Sequence, residues 1–151
     1  MLTVQAGTVA DSDLQRFVTA QDAGGTYDRA LAELRAGRKT SHWMWFVLPQ
    51  VFGLGRSSTA QRYGLDGVAE ARAYLAHPVL GPRLLECVAV IAGLPGTDPV
   101  QLLGAVDAVK LRSSMTVFAA AAPEETCFHK VLDRYHSGRH DPATLALLDT
   151  H

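Results

Sequence analysis

The chain has 151 residues, 48% of them apolar and 19% charged, and its 14 basic and 15 acidic side chains leave a net charge of −1 with histidine neutral. That balance excludes the disordered class, and at this length one domain buries about two-thirds of the surface its unfolded chain exposes. It also leaves no overall positive field to draw in nucleic acid or anionic lipid, so any basic patch is local.

Met1 to Gly7 lacks a basic start followed by an apolar run, and nowhere do about 18 apolar residues follow one another. The cytoplasm is therefore the expected compartment, with no membrane as a partner. One domain over 1–151 is expected, with 1–10 and 149–151 loosely ordered. Asp11-Ser12-Asp13 supplies capping groups, and Leu14, Phe17 and Val18 then recur on one helical face, so a first helix runs to about Gln21. Gly24-Gly25 breaks it. Thr26 caps a second helix, whose stripe of Tyr27, Ala30, Leu31 and Leu34 is closed by Gly37.

Trp43 to Leu48 is rich in aromatics, but Pro49 stops it and no alternating partner strand is present, so a short helix or irregular buried segment is predicted. A short helix from Ser57 or Ser58 carries Ala60 and Tyr63 to Gly64. Val68 to Ala76 forms another, with Ala71, Tyr74 and Leu75 inward. His77-Pro78 and Gly81-Pro82 mark the next start, since proline is tolerated in a helix's first turn, and Leu84, Val88 and Ile91 repeat up to Gly93. Thr97-Asp98-Pro99 opens a helix that Gly104 ends. After Asp107, Leu111, Met115, Phe118 and Ala122 share one face of a longer helix stopped by Pro123.

Phe128, Val131, Leu132 and Tyr135 repeat the pattern before Gly138, and Asp141-Pro142 starts a last helix with Leu145 and Leu148 inward. Cys87 and Cys127 fall in apolar helical patterns without metal-ligand spacing, as reduced, buried thiols do. The expected fold is all-α, a compact domain of eight to ten short helices outside the long-helix bundle type.

Candidate chemistry gathers between Gly37 and Ser58. Trp43 and Trp45 are two residues apart, so on a helix they diverge by about 200°, one anchoring the core while the other lines a cavity where a ring can stack. His42 beside them is the candidate acid or base, because imidazole changes charge near neutral pH, with Lys39 close by and Gln50 orienting a ligand. Gly53, Gly55, Arg56 and Ser57 form a glycine-rich bend with a guanidinium just ahead of a helix, where outward N–H groups can hold an anion. The bend lacks the Gly-Lys-Ser/Thr ending of a P-loop, and no strand precedes it. Lys110, one turn from Asp107, would add charge for a phosphate or carboxylate if its helix faces the tryptophans. An ordinary core, serine cap and solvated ion pair would explain the same residues without any ligand.

No metal is expected, because Gly138 breaks the helix that would align His136 with His140 and no third ligand completes the spacing. No cofactor is implied.

Several further stretches accompany that segment: Arg16-Phe17 with Ala20-Gln21, Glu33-Leu34, Gly37-Arg38-Lys39, Ser41 to Phe46 with Pro49-Gln50, Gly53-Leu54-Gly55, Tyr74-Leu75, His77-Pro78, and Lys110 with Ser113 to Thr116. In these the chain resembles, almost end to end, the domain of unknown function 1810 family, with Val117 where leucine is usual. The resemblance implies a mainly α-helical domain and carries no activity with it. A fainter similarity is to YbiA-like, NADAR-type proteins, small helical enzymes associated with N-glycosidic bonds in ADP-ribose derivatives. Their motif order is echoed by His42 to Gln50, Glu70 to Leu75 and Lys110 to Phe118, with Ser41 where they carry a glutamate.

The leading expectation is a cytoplasmic protein with a pocket for a nucleotide-like or ADP-ribose-like small molecule, in its enzymatic form an N-glycosidase-type hydrolase. The alternative is a non-enzymatic sensor or protein-interaction adaptor. Nucleic acid is not expected as a partner, since Arg35, Arg38 and Lys39 form a small cluster in a near-neutral chain that attracts phosphate little at long range, and a monomer is favoured.

Overall fold

A computed structural model describes residues 13–149. A first helix over 13–22 (α1) passes through a 3-10 turn, Ala23–Gly25, into α2 (Thr26–Arg35). Then follow α3 (Met44–Val47), α4 (Ser58–Tyr63), α5 (Gly67–Ala76), α6 (Leu80–Gly93) and α7 (Pro99–Leu103), with α8 (Ala105–Ala121), α9 (Cys127–His136) and α10 (Pro142–Asp149) completing the chain. The fold is all-α, as the periodicity predicts. Among the described residues the only β-like pairing is an isolated parallel bridge between Val51 and Leu65.

Helix α8 is the axis, with α5, α7, α9 and α10 packed on it. Its sequence predicts a single apolar face, yet Leu111, Ser114, Met115, Thr116, Val117 and Phe118 are all fully buried. Over residues 113–119, all of them buried, the helix is surrounded on every side and has no solvent face to reveal by periodicity. Phe118 contacts Tyr74 of α5 and stacks on Phe128 of α9, ring centroids 5.5 and 5.6 Å apart. Around this core, α6 packs on α2, α5 and α9.

The connections explain most of the turn residues. Asp98 accepts the Val100 and Gln101 N–H groups and so caps α7, while Gly104 (φ +87) ends it. Helix α8 starts immediately afterwards, two residues before Asp107. At the α5–α6 corner the His77 ring accepts at Nδ1 from the backbone N–H groups of Val79 and Leu80, satisfying donors that open a helix.

Three expectations need correcting. Thr26 does not cap α2: Gly25 (φ +70) holds that position, and the Thr26 hydroxyl donates to the Ala23 carbonyl at 2.6 Å. The glycine pair thus bends the chain through a tight turn that keeps helix following helix. Leu145 is 41% exposed, whereas Thr144 is fully buried. Asp141 sets that register: its carboxylate accepts the Thr144 N–H and hydroxyl and the Ser113 hydroxyl, turning Thr144 inward against α8. Cys127 is only half-buried, although Cys87 is wholly so; both are free. Burial, reinforced by the Glu86 charge, pushes the Cys87 thiol up to about 12. The predicted Asp11 and Ser12 caps lie outside the described residues. No single described helix is long and apolar enough to cross a membrane.

Candidate functional site

The tryptophan segment is built on a carboxylate that spacing alone does not single out. Glu33, near the end of α2 and 9% exposed, accepts at Oε1 from the Thr40 N–H (2.7 Å), the Ser41 N–H (3.0 Å) and the Trp43 indole N–H (2.9 Å). Its Oε2 takes the Ser41 hydroxyl at 2.6 Å. Burial would raise this carboxyl, but the Ser41 hydroxyl, the two backbone N–H groups and the indole together outweigh it and hold the group at about 2. Gly37 (φ +76) turns the chain so that residues 40–43 fold back over the helix they have just left. Trp43, 1% exposed, is therefore the anchoring indole.

Helix α3 is one turn long, and its open end is satisfied from α1. The Gln21 amide donates to the Phe46 carbonyl (2.8 Å) and to the Tyr74 hydroxyl (3.0 Å), and accepts from Arg83 (3.2 Å). Trp45 is half-buried where Trp43 is buried, the split between wall and anchor that the two-residue spacing predicts.

Lys39 and Lys110 meet on one carboxylate. Asp107 receives Lys39 Nζ at 2.8 Å and Lys110 Nζ at 3.1 Å. Burial pushes the Asp107 carboxyl up, but the hydrogen bonds and charges of the two ammoniums bring it below its ordinary value. Each ammonium also lies over an indole: Lys39 is 5.1 Å from the Trp43 ring centroid and Lys110 is 4.6 Å from that of Trp45. Two ammoniums sharing one carboxylate over an aromatic base, with the ionised Glu33 on the indole N–H of Trp43, offer N–H donors beside a flat ring, as an anion with a ring attached requires. Lys39 is held in place by its own N–H, which donates to the Leu102 carbonyl at 2.8 Å.

The glycine bend reaches the same spot. A Cβ on Gly55 would stand 2.8 Å from the Ala60 side chain and 3.8 Å from the six-membered ring of Trp45, so only glycine lets this loop lie between α4 and the indole. Gly53 (φ +107) faces Leu147 of α10 instead. Ser57 caps α4, its hydroxyl accepting the Ala60 N–H at 3.1 Å. Gln50 is 9% exposed; its carbonyl accepts the Leu65 N–H, and its amide has no partner among the described residues. His42 and Arg56 are exposed, and neither side chain makes a hydrogen bond within the described residues.

Lys39, Trp43, Trp45, Gly55 and Lys110 thus come together, with Asp107 as the member that links them. The cluster is filled by its own groups, the lysine side chains being only 8% and 14% exposed. Two clefts of the chain lie elsewhere. One of about 400 Å³ runs between the end of α2, the α6–α7 connection and Tyr135, and one of about 460 Å³ is bordered by Arg16, Phe52, Arg62 and Glu70. His42, Arg56 and Lys110 line neither. Among the described residues no group of three or more His, Cys, Asp or Glu side chains is placed to hold a metal ion.

The fold and the site together define an all-α, short-helix domain centred on a lysine–carboxylate–indole cluster. Residues 11–148 match the family described as "Protein of unknown function (DUF1810)", and the chain belongs to that family. It is similar in structure to the conserved hypothetical protein Rv1873 from Mycobacterium tuberculosis, known from its crystal structure: 47% identity, a TM-score of 0.87, and coverage of 91% of this chain and 96% of that one. None of the curated proteins matches the sequence.

Proposed function

We propose that this protein binds a nucleotide-like small molecule, an anion attached to a flat ring, at Trp45 and the Lys39–Asp107–Lys110 cluster. The observation that carries the reading is the convergence of two ammoniums from distant parts of the chain on a single carboxylate beside both indoles. Each ammonium has three N–H donors and the two share Asp107, so a phosphate or carboxylate is the group that takes the donors left over. Arg56, which follows Gly55 and is exposed, is the further cation this reading assigns to the ligand. Free Cys87 and Cys127 suit a reducing cytoplasm. The catalytic extension is hydrolysis of an N-glycosidic bond in an ADP-ribose-like ligand, with exposed His42 as acid or base.

Calorimetry and thermal melting with ADP-ribose, NAD, GMP and a flavin precursor test the binding. At least one of them should raise the melting temperature, a ligand at about 100 times its Kd adding about 2.7 kcal/mol. Lys110→Met should weaken that ligand by tenfold or more, and His42→Ala should stop any hydrolysis while leaving Kd unchanged. If none of the four stabilises the wild type, the ligand reading is wrong. The adaptor reading then stands, favoured by the exposed Val106 (72%) and Val109 (63%) beside the cluster.

A further inference from the structure

Helix α8 carries three buried hydroxyls in its middle turns, and one of them is unlike the others. Ser113 donates to the Val109 carbonyl and to Asp141; Thr116 donates to the Arg112 carbonyl and accepts the Asp141 N–H. Ser114 is fully buried, and its hydroxyl has no partner among the described residues. A serine inside a helix has the carbonyl four residues back within easy reach, here that of Lys110. Ser114 leaves that bond unmade. Buried polar groups without partners are rare in native proteins and costly to keep.

The position of this hydroxyl follows from its neighbours on the same stripe of the helix. Lys110, one turn before, lies over Trp45. Phe118, one turn after, meets Tyr74, whose hydroxyl lies 3.5 Å from the Phe46 carbonyl. Ser114 therefore shares one stripe of α8 with Lys110 and Phe118, one turn further into the core than the lysine that lies over Trp45. Trp45, the ring under that lysine, is half-buried and carried on a four-residue helix that has no side-chain cap.

We infer that Ser114 is the inner hydrogen-bonding residue of this site, donating to the anionic group of a phosphate- or carboxylate-bearing ligand that enters as Trp45 moves aside. The inference rests on the ligand reading above and adds to it where the anion ends up: between the Lys110 ammonium and the Ser114 hydroxyl. It also accounts for a hydroxyl that otherwise lowers the stability of the empty protein.

Ser114→Ala separates this role from a structural one, because alanine suits a helix interior and removes a group with nothing to bond. With ADP-ribose as the probe, the variant should melt at the same temperature as the wild type or higher, yet bind about tenfold more weakly. Ser114→Thr, which keeps a hydroxyl, should retain more affinity than Ser114→Ala. Equal affinity in wild type and Ser114→Ala overturns the inference and leaves the ligand site standing. A clear drop in the melting temperature of Ser114→Ala also overturns it, since the hydroxyl would then have an internal partner such as a buried water. If the wild type does not bind ADP-ribose, the same comparison is made with NAD, GMP or the flavin precursor; if it binds none of the four, the site reading and this inference fall together.

Discussion

Glu33→Ala should lower stability by about 3–5 kcal/mol, because it strips the acceptor from two backbone N–H groups, a hydroxyl and an indole N–H in one step. Burial of those donors leaves them little water to turn to. For a chain of this size the melting temperature should fall on the order of 10 °C. The tryptophan emission should also shift, as the Trp43 indole N–H loses its acceptor. Denaturant unfolding of Glu33→Ala within about 0.5 kcal/mol of the wild type would show that the carboxylate does not organise the segment.

The same group makes a pH prediction. Its folded-state value of about 2 lies below the ordinary 4.5, so the carboxylate form favours the native state. The contribution is complete above pH 4.5 and disappears as the pH falls towards 2. It amounts to about 3 kcal/mol at neutral pH. Glu33→Gln, which cannot ionise, should therefore be less stable than the wild type at pH 7, with the difference closing across that acid window. A gap that stayed constant from pH 5 to pH 2 would assign the acid sensitivity to other carboxylates.

Gly81→Ala should be comparably severe, costing about 3 kcal/mol or more, through steric overlap alone. A Cβ at Gly81 would stand 2.0 Å from the Leu75 carbonyl oxygen and 2.9 Å from its carbon, and both belong to the backbone of α5. No rotamer change relieves that contact; the corner between α5 and α6 must open. Gly93 at the other end of α6 is the control. A Cβ there meets nothing within 4 Å, so Gly93→Ala should be neutral or stabilising by up to about 1 kcal/mol. If both variants melt together, close approach is not what Gly81 provides.

These two residues also mark the boundary of what the sequence makes legible. Proline and glycine announce where helices start and stop, and Asp98 and Ser57 cap as their positions predict. Gly81 reads as punctuation too, but its physical role is a close approach between two backbones that no local pattern encodes. Apolar periodicity reports one buried face, which serves α6 and α9 well and fails for the second half of α8, where residues 113–119 are all buried. It places Leu145 inward because it cannot weigh an Asp141 carboxylate that pins Thr144 instead.

For the site, the density of aromatic and basic groups between Gly37 and Ser58 points to the right segment, and the two-residue tryptophan spacing separates anchor from wall. The Asp107–Lys110 pair is visible as one helical turn. Lys39 joining them across 68 positions, and Gln21 reaching the Phe46 carbonyl, are products of tertiary packing and carry no signature in spacing. Glu33 sits in the family pattern, yet nothing in its neighbourhood reveals four donors waiting for it.

The unequal seating of the two sulfur atoms has a practical corollary. Cys87 is sealed beneath Tyr27 and held far from its nucleophilic thiolate form, whereas Cys127, also raised by burial but half-open, is the reachable one at the head of α9. A maleimide dye should therefore attach to the native chain at Cys127 first, giving a site-specific reporter without any substitution. Labelling at Cys87 would then time the rarer excursions in which α2 and α6 part.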